Sequence, residues 1–196
     1  MKTKSSDIRS ALILSGKKEF LEHGFEKASL RKICSEANVT TGAVYSQFES
    51  KEDLFIAVVQ PTLDELNDIC ESLVNAALKD MKANIDNELR FIRFFYDHRD
   101  EFKILFDCSD GTCYAGFKEH LIDDIFVPLY QLCFNHFANT LVDPAVVKVF
   151  VKLKFAQFME LAYGGYQFDE IIRLTEIYSK ATTDEFAKLC EKVTAT

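Results

Sequence analysis

The stretch SLRKICSEANVTTGAVYSQFESKEDLF, residues 29–55, predicts two short amphipathic helices followed by the start of a third. Ser29 can cap the first helix, whose apolar residues at 30, 33, 34 and 37 recur at the spacing of one helical face. Asn38 suits the left-handed turn that ends this helix. Thr40 caps the second helix, which is only about two turns long. Ser50 and Asp53 form a capping box that opens the third.

The second of these helices has the composition of a probe for a nucleic-acid groove. Val44 and Phe48 face inward and hold it on its neighbour, because so short a helix is not stable alone. Its outward residues are small or hydrogen-bonding, and the N–H groups at its start suit an anion. The candidates for base contact are Thr41, Gly42 and Ser46, and those for phosphate contact are Ser29, Thr40, Tyr45, Gln47 and Lys51.

These roles compete with structural ones. Ser29, Thr40 and Ser50 act as helix caps in either case. For Tyr45 the alternative is packing against the first helix, and we favour contact with DNA. Replacing Lys51 is expected to weaken binding to all sequences about equally and to flatten the salt dependence by about one unit.

The same region resembles the DNA-binding domain of the TetR family of transcriptional repressors, over residues 8–58. The resemblance rests on the runs SLRKI (29–33) and ANVTTGAVYSQFESKEDL (37–54). The positions that match the family pattern are Gly24, Phe25, Gly42, Tyr45, Phe48, Lys51 and Leu54. Asn38 stands where the family usually has Gly, and Gly16 where it usually has Ala. The resemblance implies a DNA-binding dimer whose C-terminal domain takes a small apolar or aromatic effector.

The length of 196 residues and the apolar content of 48% suffice for a small N-terminal domain and a larger second one. We expect a helix-turn-helix domain over 1–52 and a helical domain for effector binding and dimerisation over 53–196. No apolar run reaches the length of a membrane span, and the apolar stretch near the N-terminus is too short for a signal peptide. The sequence therefore favours a cytoplasmic protein that does not bind membranes.

The net charge of −8 argues at first against a nucleic-acid partner. The acidic residues are unevenly distributed, however. Residues 1–54 hold nine Lys or Arg and eight Asp or Glu, a balance of +1, whereas residues 55–196 hold fourteen and twenty-three, a balance of −9. With so small a basic excess, we expect DNA affinity to depend on two paired domains and to fall steeply with salt.

Helical periodicity continues to the C-terminus without a strand pattern or a repeat, so the predicted fold class is all-α. The first helix, 7–22, contains Gly16, whose cost of about 1 kcal/mol relative to Ala suggests the close approach of another helix. The other expected helices are 51–78 with a kink at Pro61, 84–98, 100–107, 116–139 bent at Pro128, a helix opened by Asp143 and Pro144 and ended by Gly164, and 168–192. A loop is expected over 108–116.

Fourteen of the nineteen residues in 145–163 are apolar, too many for one buried stripe. We expect this helix to pair with its copy in a second subunit, and the last helix to complete the seam. The contributing residues would be Ile171, Leu174, Ile177 and Tyr178. The alternative is a helix that is central in a monomer.

Aromatic residues are dense after residue 90, and most of them are expected to be ordinary core. Large rings on helices pack irregularly and often leave a cavity, where the resemblance implies that a small effector binds. The candidate lining residues are Phe95, Phe106, Phe134 and Phe158. Arg93, His98 and Arg99 are alternatives for holding an anionic group, although we favour solvated roles for them. Effector binding is expected to tilt the fourth helix and to change the spacing of two recognition helices, about 34–36 Å apart on a palindromic site.

Six cysteines are scattered without a CxxC pair, and we expect reduced thiols. A sensor or metal clip of Cys108, Cys113 and His120 is the weaker alternative. No cofactor is expected. The sequence lacks a Ser/His/Asp order, a phosphate-binding Gly loop and a zinc HExxH pattern, so we do not expect an enzyme. A protein-interaction module that keeps the helix-turn-helix only as a scaffold is the remaining alternative, supported by the weak basic excess.

Overall fold

The computed structural model describes residues 5–77 and 84–194, and every regular element in them is helical, which confirms the predicted fold class. The helices are α1 (Ser5–Lys27), α2 (Leu30–Glu36), α3 (Thr41–Tyr45), α4 (Lys51–Ala77), α5 (Asn84–Asp97), α6 (Arg99–Asp107), α7 (Phe117–His120), α8 (Val127–Ala138), α9 (Pro144–Tyr163) and α10 (Phe168–Thr194). A π-helical segment, Leu121–Phe126, joins α7 to α8. The predicted end of the fourth helix at residue 78 lies outside the described residues.

The caps around α2 and α4 follow the sequence pattern, and the cap of α3 differs from it. The Ser29 hydroxyl accepts a hydrogen bond from the Lys32 N–H at 3.4 Å, and Asn38 has a φ of 54°. Ser50 Oγ accepts from the Asp53 N–H at 3.0 Å, while the Asp53 carboxylate accepts from the N–H of Glu49 at 3.0 Å. Thr40 has the extended backbone of an N-cap residue, but its hydroxyl makes no capping bond. The predicted side-chain cap at Thr40 is therefore wrong.

The two glycines of α1 are needed for different reasons. A Cβ at Gly16 would lie 3.4 Å from the side chain of Leu54, which is fully buried on α4. This contact is the close approach of another helix that the glycine predicted. Gly24 has a φ of 71° and breaks the helical backbone of α1 near its end, a conformation that favours glycine.

The chain divides into two compact units. The first, called the head unit here, contains the described residues up to Leu66 together with Asp100–Lys118. The second, the body unit, contains the described residues of Asn67–Arg99 and of Glu119 onwards. The boundary between residues 52 and 53 stays a prediction.

Hydrogen bonds fasten the segment 100–118 within the head unit. The Phe25 N–H donates to the Cys108 carbonyl at 2.9 Å, and the Cys113 N–H donates to the Glu52 carboxylate at 2.8 Å. The loop that follows α6 is thus bonded to both α1 and α4, although it is distant from them in the sequence. Lys17 adds ion pairs to Asp100 at 3.4 Å and to Glu101 at 2.8 Å.

Buried aromatic rings join α1 to α4 in the core of the head unit. The centroid of the Phe55 ring lies 5.2 Å from that of Phe20 and 5.5 Å from that of Phe25, both in edge-to-face geometry. Phe20 and Phe55 are completely buried. Because such ring pairs add to the stability gained from burial, α1 and α4 form a firm support for the two short helices between them in the sequence.

In the body unit, residues 119–138 are helical with a change of hydrogen-bond pattern before Pro128. The Val127 N–H donates to the carbonyl of Ile122, five residues earlier. A proline has no N–H for the carbonyl of the preceding turn, and a π-helical turn is a usual way to accommodate such a break. The irregularity predicted at Pro128 therefore lies just N-terminal to it.

The core of the body unit contains Ile92, Leu161 and Ile171 from α5, α9 and α10. Ile171 is completely buried in its own subunit, so its predicted place in a dimer seam is wrong. Leu174 packs against the same cluster but is only partly buried, and its place in the seam stays a prediction. Among the described residues, the large hydrophobic side chains that stay exposed on these helices are Val149, Leu153 and Tyr163 of α9 and Ile177 and Tyr178 of α10. Among the described residues, the helices are too short or too polar to cross a lipid bilayer.

Candidate nucleic-acid interface

Helix α3 has one buried side and one exposed side. Val44 and Phe48 are 1% and 2% exposed, so they attach α3 and the turn after it to the rest of the head unit. Tyr45 is 65% exposed, and Thr41 and Gly42 are exposed as well. A five-residue helix that is held from one side presents its other side to solvent at a fixed angle.

The three residues predicted to contact bases lie together on this exposed side or at its end. Thr41 and Gly42 are in the first turn of α3, and Ser46 follows its last residue. The Ser46 hydroxyl donates to the Ala43 carbonyl at 2.8 Å, which leaves its oxygen able to accept. The small size of these residues allows close approach of the backbone to a duplex.

Of the five residues predicted to contact phosphates, Thr40, Tyr45 and Gln47 lie in α3 or next to it in the sequence, and Ser29 caps α2. Ser29, Thr40 and Tyr45 are exposed, and Gln47 is half-buried. Gln47 donates from its amide nitrogen to the Ser46 hydroxyl at 3.4 Å. Because the Thr40 hydroxyl does not cap α3, it is available to an external acceptor.

Lys51, the fifth candidate, is engaged within the head unit. Its ammonium donates to the carbonyls of Phe25 at 2.7 Å, Glu26 at 3.2 Å and Ala28 at 3.3 Å. The same nitrogen lies 4.5 Å from the centroid of the Phe25 ring. An ammonium has three N–H donors, so these contacts use all of them. Lys51 ties the start of α4 to the end of α1, and its contact with phosphate stays a prediction.

Arg9 is an exposed cation beside α3 that is not among the residues predicted to contact DNA. Its Nη1 donates to the Gln47 carbonyl at 2.7 Å, and its Cζ lies 4.3 Å from the centroid of the Phe48 ring. These contacts cross 38 positions of sequence. The spacing of residues along a helix gives no information about contacts between residues so far apart. The sequence shows that residue 9 is a cation, but not that it contacts Gln47.

A buried carboxylate supports the start of α2. Glu19 is 2% exposed, accepts from the Ser29 N–H at 3.0 Å and pairs with the Lys32 ammonium at 3.0 Å. Burial alone would raise the pKa of Glu19, but the hydrogen bond from Ser29 and the contact with Lys32 outweigh it and lower the pKa. The ionised form of Glu19 is therefore the one that holds α2 in place.

Glu19, Glu22 and His23 bring their ligand atoms within 4.8 Å of one another, the one such cluster found in the described residues. The Lys32 ammonium lies 3.0 Å from Glu19, 3.3 Å from Glu22 and 3.0 Å from His23. A cation is thus already present among these three side chains. The arrangement fits an internal ion-pair group better than a metal site.

The three residues considered as a sensor or metal clip are assigned to both units. Cys108 and Cys113 belong to the head unit and His120 to the body unit, where it pairs with Asp124 at 2.8 Å. Burial raises the pKa of both thiols, and negative charges nearby, Asp107 for Cys108 and Glu52 for Cys113, raise it further. Since the thiolate is the reactive form, these environments disfavour redox chemistry.

The four predicted effector residues are divided between the two units. Phe95, Phe134 and Phe158 belong to the body unit, whereas Phe106 belongs to the head unit. The rings of Phe95 and Phe158 are in edge-to-face contact at 4.3 Å. They continue into an aromatic cluster of the body unit that includes Phe91, Phe94, Phe126 and Phe155.

Phe134 instead contacts Phe150 at 5.3 Å, beside Tyr130. Near these rings, the Lys154 ammonium pairs with the Glu88 carboxylate at 2.7 Å, and both side chains are less than one-fifth exposed. Burial raises the pKa of Tyr130 strongly, and the charge of Glu88 adds to the effect. The body unit therefore combines buried aromatic rings with a small number of polar groups.

The comparisons with known proteins concern the N-terminal part and the fold separately. Residues 12–58 match the family described as bacterial regulatory proteins, tetR family. The chain is similar to the HTH-type transcriptional repressor BepR of Brucella suis, with 36% identity over 58 residues, which are 30% of this chain and 28% of BepR. It is 32% identical over 59 residues to the HTH-type transcriptional regulator UidR of Escherichia coli K12, covering 30% of each protein.

The chain thus matches less than a third of the length of these relatives. A solved structure of a TetR-family transcriptional regulator from Bordetella parapertussis is similar over 91% of this chain and 93% of that one. The TM-score is 0.68 and the identity 18%, so this likeness shows a common fold.

Proposed function

We propose that this chain, which carries the N-terminal domain of the tetR family of bacterial regulatory proteins, is a ligand-responsive, DNA-binding regulator of transcription. The observation that carries the proposal is the two-sided character of α3. Its exposed side consists of Thr41, Gly42 and Tyr45, while Val44 and Phe48 hold it from behind. A helix so supported can enter a major groove without losing its position on the protein.

A homodimer is part of this proposal. Val149 and Leu153 of α9 are 59% and 68% exposed, and Ile177 and Tyr178 of α10 are 58% and 48% exposed. Apolar side chains at such exposure favour burial against a second copy of the same two helices. Two recognition helices in one dimer would read the two halves of a palindrome, and the joint binding would compensate for the small basic excess of each head.

The small-molecule effector would bind among the aromatic rings of the body unit. Phe95 and Phe158 are the best supported of the four candidates, because they belong to one cluster of phenylalanine rings. An apolar or aromatic effector suits this surface, and the Glu88–Lys154 pair offers it polar contacts. Binding would release DNA if the effector favours the dimer conformation that binds DNA less tightly.

Repression is the mode of action that we propose, since BepR is named a repressor. Under this proposal the protein works in the cytoplasm by occupying DNA, and it is not an enzyme. The alternative is an interaction module in which the helix-turn-helix is only a scaffold.

The test is selection of DNA from a random library with the purified protein, followed by footprinting on the enriched sequence. The expected result is an enriched palindrome with its half-sites about one helical turn apart. Thr41→Ala should change the preferred bases, and Glu36→Ala, an exposed residue of α2, is the matched control. A protein that enriches no sequence at low salt would contradict the proposal and favour the interaction module.

A further inference from the structure

The guanidinium of Arg9, a residue of α1, lies against the end of α3 and uses only some of its hydrogen-bond donors there. Nη1 donates to the Gln47 carbonyl at 2.7 Å, and the group lies over the ring of Phe48, which is buried. The side chain of Arg9 is exposed. A guanidinium has five N–H donors in a planar fork, and the hydrogen bonds within the described residues use only Nη1.

We propose that Arg9 binds a DNA phosphate with the free edge of its guanidinium while the other edge fixes the end of α3. This inference rests on the proposed DNA binding. The side chains exposed next to the Gln47 contact are Tyr45 and Ser46, which belong to the side of the head unit proposed to face DNA. A phosphate that flanks the groove would therefore lie within reach of Arg9 when α3 is inserted.

Three other cations of the head unit are already engaged by their neighbours. The three donors of Lys51 are used by three backbone carbonyls, and Lys32 is engaged by Glu19, Glu22 and His23. Lys17 pairs with two carboxylates of the segment 100–118. Arg9 keeps its positive charge uncompensated by a carboxylate among the described residues, and a guanidinium matches the geometry of a phosphate.

The two contacts would reinforce each other. The bond to Gln47 holds the guanidinium plane in one orientation, so less side-chain freedom is lost when phosphate binds. A lysine at this position would keep the charge but not a planar fork that can engage a carbonyl and a phosphate together. Arg9→Lys should therefore retain the salt dependence and lose part of the affinity.

The experiment combines Arg9→Gln with the operator that the wild-type protein selects, read by fluorescence anisotropy. In a series of duplexes, single phosphates are replaced by neutral methylphosphonates. One replacement in each half-site should weaken the wild-type protein about tenfold and leave the affinity of Arg9→Gln almost unchanged. Arg9→Gln should also flatten the dependence of log K on log salt by about one unit per head.

The control is Lys18→Gln, which removes an equal charge from α1. Residues 9 and 18 are nine positions apart, about two and a half helical turns, and so lie on opposite sides of α1. Thermal unfolding of each variant shows whether the head unit is intact. If Arg9→Gln unfolds it, the phosphonate series is read with Arg9→Lys, whose weakening at that phosphate should be smaller than that of the wild type.

If every phosphonate weakened the wild type, Arg9→Gln and Arg9→Lys equally, the inference would be overturned. The proposed DNA binding would not be affected by that result. Failure of the wild-type protein to select any operator would overturn the proposed function, and this inference with it.

Discussion

The head unit and the body unit are organised by different kinds of contact. Besides its aromatic core, the head unit joins its helices with charged side chains on backbone groups: Lys51 on three carbonyls, Glu19 on an N–H and Arg9 on a carbonyl. The body unit relies on apolar packing, with a cluster of phenylalanine rings and exposed apolar residues on α9 and α10.

The comparisons with known proteins follow the same division. The family match is confined to residues 12–58, whereas the likeness over most of the chain is one of fold at 18% identity. Hydrogen bonds to backbone groups need particular side chains at particular positions, and apolar packing tolerates many exchanges of similar volume. A unit proposed to read DNA thus retains a recognisable sequence, and a unit proposed to dimerise and take an effector retains mainly its helices.

The largest effect is expected where the body unit is proposed to bring two heads together. Leu153→Glu places a charge at a residue of α9 that is 68% exposed in one subunit and buried in the proposed dimer. Burying an unpaired carboxylate is strongly unfavourable. We expect the dimer to weaken by more than about a hundredfold and operator affinity to fall with it. Light scattering after size exclusion measures the first quantity, and anisotropy the second.

The matched control for this prediction is Leu141→Glu, at a residue 86% exposed in the loop before α9. This change should leave both the dimer and DNA binding as they are. An intact dimer in Leu153→Glu would show that the exposed side of α9 has another use, and the contrast drawn between the two units would lose its functional part.

A smaller effect is expected from Lys51→Ala in the head unit. The change removes hydrogen bonds to three carbonyls and the contact of the ammonium with the Phe25 ring. Hydrogen bonds to a charged group stabilise a protein by about 2 kcal/mol. The free energy of unfolding of the head unit should therefore fall by about 2 kcal/mol. Chemical denaturation followed by circular dichroism measures the loss, with exposed Lys27→Ala as the control.

The two roles assigned to Lys51 give different salt profiles. A structural role alone lowers the fraction of folded protein and leaves the slope of log K against log salt unchanged. A phosphate contact flattens that slope by about one unit. Unchanged stability together with a flatter slope would mean that the contacts with carbonyls give way to DNA on binding.

The parts of the fold that depend on neighbours in sequence were predictable. Three helix caps use a partner within four positions of sequence: those at Ser29, Ser50 and Asp143. The left-handed backbone of Asn38 likewise depends on its local position at the end of a helix. The exposed residues of α3 followed from the same local periodicity. Thr40 is the exception, because an N-cap backbone does not oblige the side chain to bond.

Contacts across long stretches of sequence were not predictable. Arg9 reaches Gln47 and Lys51 reaches Phe25 across separations of 38 and 26 positions. Ile171 has the same apolar character as Ile177, yet it is completely buried in its own subunit while Ile177 is 58% exposed. Which side of a helix meets its own core depends on the packing of distant helices, and single-helix periodicity does not contain that information.

The smallest effect concerns Glu19 and is distinguished by its pH dependence. The folded-state pKa of Glu19 is lowered from its ordinary value of 4.5, so the ionised form stabilises the head unit above that pH. The contribution is lost as the pH falls through the lowered pKa. Glu19→Gln should cost about 1 kcal/mol at pH 7, because the amide still accepts from the Ser29 N–H but no longer carries a charge for Lys32.

Below pH 4.5 the free energies of unfolding of Glu19→Gln and the wild type should converge, because a protonated Glu19 resembles the neutral amide. Glu36→Gln, at an exposed position of α2, removes a charge without touching a buried hydrogen bond and serves as the control. Denaturant titrations between pH 7 and the acid limit give the difference at each pH. A constant difference would mean that Glu19 supports α2 through packing and not through its charge, and the head unit would then resemble the body unit in how it is held together.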